Sequence, residues 1–110
     1  MIDLNELCKV TLANADLRNR NGGHIKSDTR SMLKHTATEV IEATEAYSDW
    51  QNHFDGPCSL ELEGDFIGEL ADIICCVLII AGKEKIDIEQ AIMDCIEKNR
   101  KRAEGIGDKL

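Results

Sequence analysis

Proline occurs once in these 110 residues, and aromatic residues make up only 4% of them. Sandwiches and barrels need aromatic-rich pleated surfaces, so helix is the expected secondary structure. Basic residues are also scarce: 13 lysines and arginines face 21 acids, a formal net charge of −8. That balance argues against broad binding to a nucleic-acid polymer and against attraction to an anionic membrane. A polyanion handled by such a chain must arrive with cations. The five cysteines, Cys8, Cys58, Cys75, Cys76 and Cys95, are odd in number and show no CxxC spacing. Neither a disulfide framework nor a zinc knuckle is indicated, and reduced, mostly buried thiols in a cytoplasmic protein are expected. The longest apolar run, Ile73 to Ala81, has nine residues, against the roughly 20 that span a bilayer. MIDLNELCKV carries acids where an export signal carries bases, so a soluble protein is expected.

The pattern along the chain predicts four helices in one domain, residues 1–110. Asp3 with Glu6 three residues on is a capping box, opening a helix with Leu4, Leu7, Cys8, Leu12 and Ala15 near one face. It should end before RNRNGGHIKSD, residues 18–28, a polar glycine-bearing loop whose His24 could close over a ligand. A second helix from Ser27 or Asp28 to about Trp50 places Leu33, Ala37, Val40, Thr44 and Tyr47 on its apolar side, with His35, Glu39, Glu42 and Asp49 opposite. QNHFDGPCS, residues 51–59, breaks it. The third helix begins between Ser59 and Asp65 and ends at Ala81, with Gly82 as its cap. Asp87 and Gln90 form another capping box, opening a fourth helix to about Arg102 with Ile88, Ala91, Ile92, Cys95 and Ile96 as its apolar set; the tail GIGDKL should fray.

These elements predict an all-α four-helix bundle. From Ile73 to Ala81 the third helix is apolar all round, and such a helix must be covered on every side. Three companions from one small chain hardly suffice, so a homodimer or homotetramer around this helix is expected.

Two pairs of carboxylates stand at i and i+3, Glu39 with Glu42 and Glu69 with Asp72. The first lies opposite the apolar face of its helix, where a solvated acidic stripe is the ordinary reading. The second heads the most apolar run of the chain, where an ionised carboxylate needs a compensating charge. If the second and third helices pack antiparallel, both pairs face one groove, and four oxygen donors there suit Mg²⁺, with Mn²⁺ as a substitute. A di-iron bundle would need Glu-x-x-His pairs, and no histidine stands three residues after a glutamate.

TEVIEATEAYSDW, residues 38–50, followed by ELADIICCVLIIAGKEKIDIEQAIMDCIEKNRKR, residues 69–102, resembles the MazG-like all-α nucleoside triphosphate pyrophosphohydrolases over roughly residues 27–102. In that family an E-E-x-x-E segment and an E-x-x-D segment bind magnesium, and K-N-R type residues follow on a later helix. The resemblance implies Glu39, Glu42, Glu69 and Asp72 as metal ligands, with Glu45 as an accessory acid. Thr38 stands where the first Glu of the doubled pair is usual, and Ala103 where an aromatic residue often follows K-N-R.

The implied reaction is cleavage of a nucleoside triphosphate between its α and β phosphates, yielding the monophosphate and pyrophosphate, in a nucleotide-pool house-cleaning role. Glu42 or Glu45 would accept the attacking water's proton. Lys98, Asn99 and Arg102 would contact phosphates or sugar, although Asp94 with Lys98 and Glu97 with Lys101 also stand at the spacing of ordinary surface ion pairs. Tyr47, Trp50, His53 and Phe54 form a candidate stacking platform for the base, with Trp50 its principal member. Two other readings stand beside this one. Within the superfamily the chain could be a phosphoribosyl-ATP pyrophosphohydrolase; in a different class, it could be a non-catalytic acidic helical oligomer that binds a basic protein, in which case the carboxylates should diverge.

Overall fold

The computed structural model describes residues 2–23 and 26–105. His24 and the tail beyond Gly105 lie outside the described residues. The chain forms α1 (Leu4–Arg20), α2 (Thr29–Asn52), α3 (Ser59–Lys83) and α4 (Ile88–Ala103), with no strand among the described residues. Two helix starts fall where the capping boxes placed them, and α2 starts at Thr29 with Asp28, one of its two expected starts, as the N-cap. Asp3 accepts from the Glu6 N–H, Asp28 from that of Ser31 and Asp87 from that of Gln90, each at 3.1 Å.

α2 and α3 run antiparallel along their length. Thr29 meets Glu84 at one end, while Tyr47 and Trp50 meet Phe66 at the other. α1 lies on α3, also antiparallel, so that Ala15, Met32, Cys76 and Ile79 form one core cluster and Cys8, Leu78 and Ala81 a second. α4 packs on the start of α1 and buries no residue. Asn5 makes that junction, donating to Asp87 Oδ1 at 3.0 Å and accepting from the Ile88 N–H at 3.2 Å. The core is therefore built by three helices, with the fourth tethered beside them and contributing only Ile88, which packs against the second cluster.

Several boundaries and faces differ from the expectation. α1 continues through Arg18 and Asn19 to Arg20, because its last carbonyls still find donors in Asn21, Gly22 and Gly23. Gly82 is not a cap: α3 runs one residue further, to Lys83. The turn beyond it closes with the Ile86 N–H on the Ala81 carbonyl at 2.9 Å and Lys85 at φ 56°. The glycine is needed inside the helix instead, since a Cβ there would sit 2.9 Å from the Cys8 carbonyl oxygen. On α2 the buried residues are Met32, Glu39 and Ala43, whereas Leu33, Val40 and Tyr47 of the expected core stripe are exposed. Leu33 and Val40 of that stripe stay uncovered, and α3 reaches Tyr47 only through Phe66. Ile74 and Val77 of α3, and Ile92, Met93 and Ile96 of α4, are also exposed.

All five cysteines are free. Only Cys8 and Cys76 are buried, and loss of hydration raises both thiol pKa values, which keeps them protonated and inert. No helix among the described residues is long and apolar enough to cross a membrane.

Candidate metal centre

The antiparallel register of α2 and α3 brings Glu39, Glu69 and Asp72 together, with one carboxylate oxygen from each within 4.8 Å of the others. Glu39 faces the core between Met32 and Ala43 and is only 7% exposed. The solvated stripe that its position on α2 suggested is thus corrected by the way α2 docks on α3.

Two of these oxygens lack partners. Glu39 Oε2 and Glu69 Oε2 are both shielded from water and accept no hydrogen bond from the protein. The other Glu39 oxygen is 3.0 Å from His35 Nε2, one turn back along α2. The closely approaching Glu39 carboxylate raises the Glu69 pKa above the usual carboxylate value; desolvation and the Glu39 and Asp72 charges push the same way, and the Glu42 side chain opposes them. Buried acceptors without donors and crowded like charges are what a bound cation relieves. The donor set is all oxygen, which fits a hard divalent cation.

Two cavities adjoin this cluster, and Asp72 borders both. The larger, about 520 Å³, lies between the C-terminal half of α2 and the N-terminal half of α3 and is lined by Glu42, Glu45, Asp49, Asp65, Glu69 and Asp72. Gly64 and Gly68 keep its α3 wall open, since a Cβ at either would meet nothing within 4 Å. The smaller, about 270 Å³, is lined by Arg18, His35, Glu39 and Asp72 with Met32, Cys75, Cys76 and Ile79.

Glu42 and Glu45 line the larger cavity but stand outside the close triad. Trp50 stacks on Phe66, ring centroids 5.9 Å apart and planes at 26°, with Tyr47 at its edge and Phe54 beside it. Its indole N–H is shielded and without a partner. His53 instead ends α2, its Nδ1 2.9 Å from the Asp49 carbonyl oxygen. Lys98, Asn99 and Arg102 lie on α4, which docks on α1, so one chain does not bring them to the carboxylates. The surface pairs expected on α4 give way to others: Glu97 and Glu104 both pair with Arg100, and Asp94 accepts from Gln90.

Arg18, His35, Phe66, Asp65 and the two open glycines were not singled out as site residues from the sequence. Gly64 and Gly68 carried the readable signal: with Asp65, Glu69 and Asp72 they repeat at helical spacing along one side of α3. Arg18 carried none, since its helix was expected to have ended.

A family model for the MazG nucleotide pyrophosphohydrolase domain matches residues 27–106. Comparison with curated proteins and with solved structures returned no match.

Proposed function

Because the chain belongs to the MazG nucleotide pyrophosphohydrolase family, we propose that it hydrolyses a nucleoside triphosphate between the α and β phosphates. The products would be the monophosphate and pyrophosphate, in a house-cleaning role on the cytoplasmic nucleotide pool. The observation that carries this reading is the triad of Glu39, Glu69 and Asp72, converging within 4.8 Å with two buried oxygens unpartnered. Diverging carboxylates, the expectation for a non-catalytic acidic oligomer, would have favoured the other class.

Glu39, Glu69 and Asp72 would hold Mg²⁺, with Mn²⁺ as a substitute, and Glu42, on the wall of the adjoining cavity, would be the fourth ligand. The cation, when bound, neutralises phosphate charge and acts as a Lewis acid. The protein supplies the rest. Glu42 and Glu45 border the larger cavity, where either carboxylate can accept the proton of the water that attacks the α phosphorus. Trp50 and its ring neighbours lie next along α2 after Asp49, the last α2 residue lining that cavity, with Trp50 about 16 Å along the helix from Glu39 at the helical rise, which suits a base-stacking platform.

Self-association belongs to the same proposal. The chain exposes 8118 Å², against about 6,100 Å² for a folded monomer of its mass, and apolar side chains on α2, α3 and α4 remain uncovered. A homodimer or homotetramer would cover them. Lys98, Asn99 and Arg102 could then reach the phosphates or sugar from a second copy's α4. Pyrophosphate release from a panel of nucleoside triphosphates, with and without Mg²⁺, tests the activity. Release from none, together with no Mg²⁺-induced thermal stabilisation, would sink it.

A further inference from the structure

The two cavities beside the carboxylate triad differ in charge. The larger is bordered by six carboxylates and by no lysine, arginine or histidine. The smaller contains Arg18 and His35. His35 is already engaged with Glu39, whereas Arg18 makes no ion pair among the described residues, in a chain with a net charge of −8.

Arg18 is held in place from its own backbone outward. The Gly23 N–H donates to the Arg18 carbonyl at 2.9 Å, and a Cβ on Gly23 would lie 2.7 Å from Arg18 Cγ, so the chain leaving α1 folds tightly over the arginine stem. Ser27 is buried and donates to Asp16 Oδ1 at 2.9 Å, fastening the returning segment to the same end of α1. An exposed arginine whose stem is held beside Glu39 and Asp72, and whose guanidinium is salt-bridged to neither, is a cation available to another anion. Glu39, whose Oε2 is buried and unpartnered, lines the same cavity.

We propose that Arg18 binds the pyrophosphate portion of the substrate, so that the triphosphate runs from the carboxylate triad toward α1 while the nucleoside lies toward Trp50 and Phe66. This rests on the pyrophosphohydrolase reading. Beyond the carboxylates assigned to the cation, a phosphate chain directed into the larger cavity would meet Glu45, Asp49 and Asp65; directed into the smaller, it meets a guanidinium whose fork of donors matches phosphate oxygens. In the hydrolysis, water oxygen bonds to the α phosphorus, and the bond to the bridging oxygen breaks. That oxygen departs on pyrophosphate with the electron pair, and the water proton passes to Glu42 or Glu45. Arg18 stands where the charge gained by the leaving group collects.

The test compares wild type, Arg18→Ala and Arg18→Lys by calorimetric binding of inorganic pyrophosphate, of Mg²⁺ alone and of the nucleoside monophosphate, beside steady-state hydrolysis of the best triphosphate. Arg18→Ala is expected to weaken pyrophosphate binding and raise KM by about tenfold or more, the scale of one hydrogen-bonded charge contact. Affinity for Mg²⁺ and for the monophosphate should stay within about twofold of wild type, and Arg18→Lys should recover part of the loss. Thermal unfolding of each variant checks that the exposed substitution leaves the fold intact. Pyrophosphate affinity and KM both unchanged in Arg18→Ala would overturn the assignment alone, as would a loss of monophosphate affinity equal to that of pyrophosphate. A wild type that releases pyrophosphate from no triphosphate overturns the functional reading, and this one with it.

Discussion

His35 Nε2 lies 3.0 Å from Glu39 Oε1, one turn away on α2, and occupies one oxygen of a carboxylate whose side chain is only 9% exposed. The second oxygen is left unpartnered. A histidine in this position fixes the rotamer of the carboxylate and decides which oxygen remains for a cation. Partners of this kind contribute about 10- to 100-fold to metal affinity. His35→Leu is therefore expected to raise the Mg²⁺ concentration needed for half-maximal thermal stabilisation by that factor, and His35→Gln, which keeps a donor, to recover part of it. An unchanged Mg²⁺ midpoint in His35→Leu would show that packing alone orients Glu39.

Asp72 borders both cavities and belongs to the triad, so its charge should matter more than its shape. Asp72→Asn keeps the shape. Turnover is expected to fall by about a hundredfold or more, as when a group that stabilises developing charge is lost. Self-association and apoprotein stability should persist, because the substitution relieves like-charge crowding, while Mg²⁺ no longer raises the melting temperature. Wild-type pyrophosphate release by this variant would count heavily against the triad as the metal centre.

The tether of α4 should be sensitive to acid. Asp87 accepts from Asn5 Nδ2 and from the Gln90 N–H, and these two bonds hold its carboxyl below the ordinary aspartate pKa. A carboxylate with a depressed folded pKa contributes stability that is present above the unfolded value and is lost as pH falls through the folded one. Below the ordinary aspartate range the α1–α4 junction is therefore expected to loosen. Asp87→Asn should flatten that part of the acid titration followed by circular dichroism, whereas an identical acid limb would place the sensitivity elsewhere. Asp28, whose pKa is lowered by its bonds to Ser31, makes a parallel contribution at the start of α2.

Helix number, the N-caps at Asp3 and Asp87, the start of α2 near Asp28 and the carboxylate pairing were legible because each depends on local chemistry. Asp3, Asp28 and Asp87 bond residues three positions away, and helical spacing alone places Glu69 beside Asp72. The buried face of α2 was not legible. Leu33, Val40 and Tyr47 form a proper apolar stripe, but apolar periodicity reports only that a face seeks cover, not which neighbour provides it. Within one chain α3 docks against the side that carries Glu39. Arg18 was hidden for a related reason: polar RNRNGG reads as loop, yet the carbonyls at the end of α1 find donors that extend the helix over the smaller cavity.

Three glycines of α3 separate packing from shape. At Gly82 a Cβ would lie 2.9 Å from the Cys8 carbonyl oxygen and 3.3 Å from Leu12 Cβ, so α1 must move to admit an alanine. Backbone is the obstacle there, and a flexible side chain cannot simply turn aside. The strain of such overpacking is about 1–3 kcal/mol, which exceeds the roughly 0.5–1 kcal/mol that alanine gains over glycine inside a helix. Gly82→Ala is therefore expected to lower the urea midpoint. At Gly64 and Gly68 the same atom meets nothing within 4 Å, so alanine should raise the midpoint while adding a methyl group to the wall of the larger cavity. If the proposed substrate occupies that cavity, Gly68→Ala combines higher stability with a higher KM. A variant that gains stability with KM unchanged would show that the substrate does not approach this face of α3.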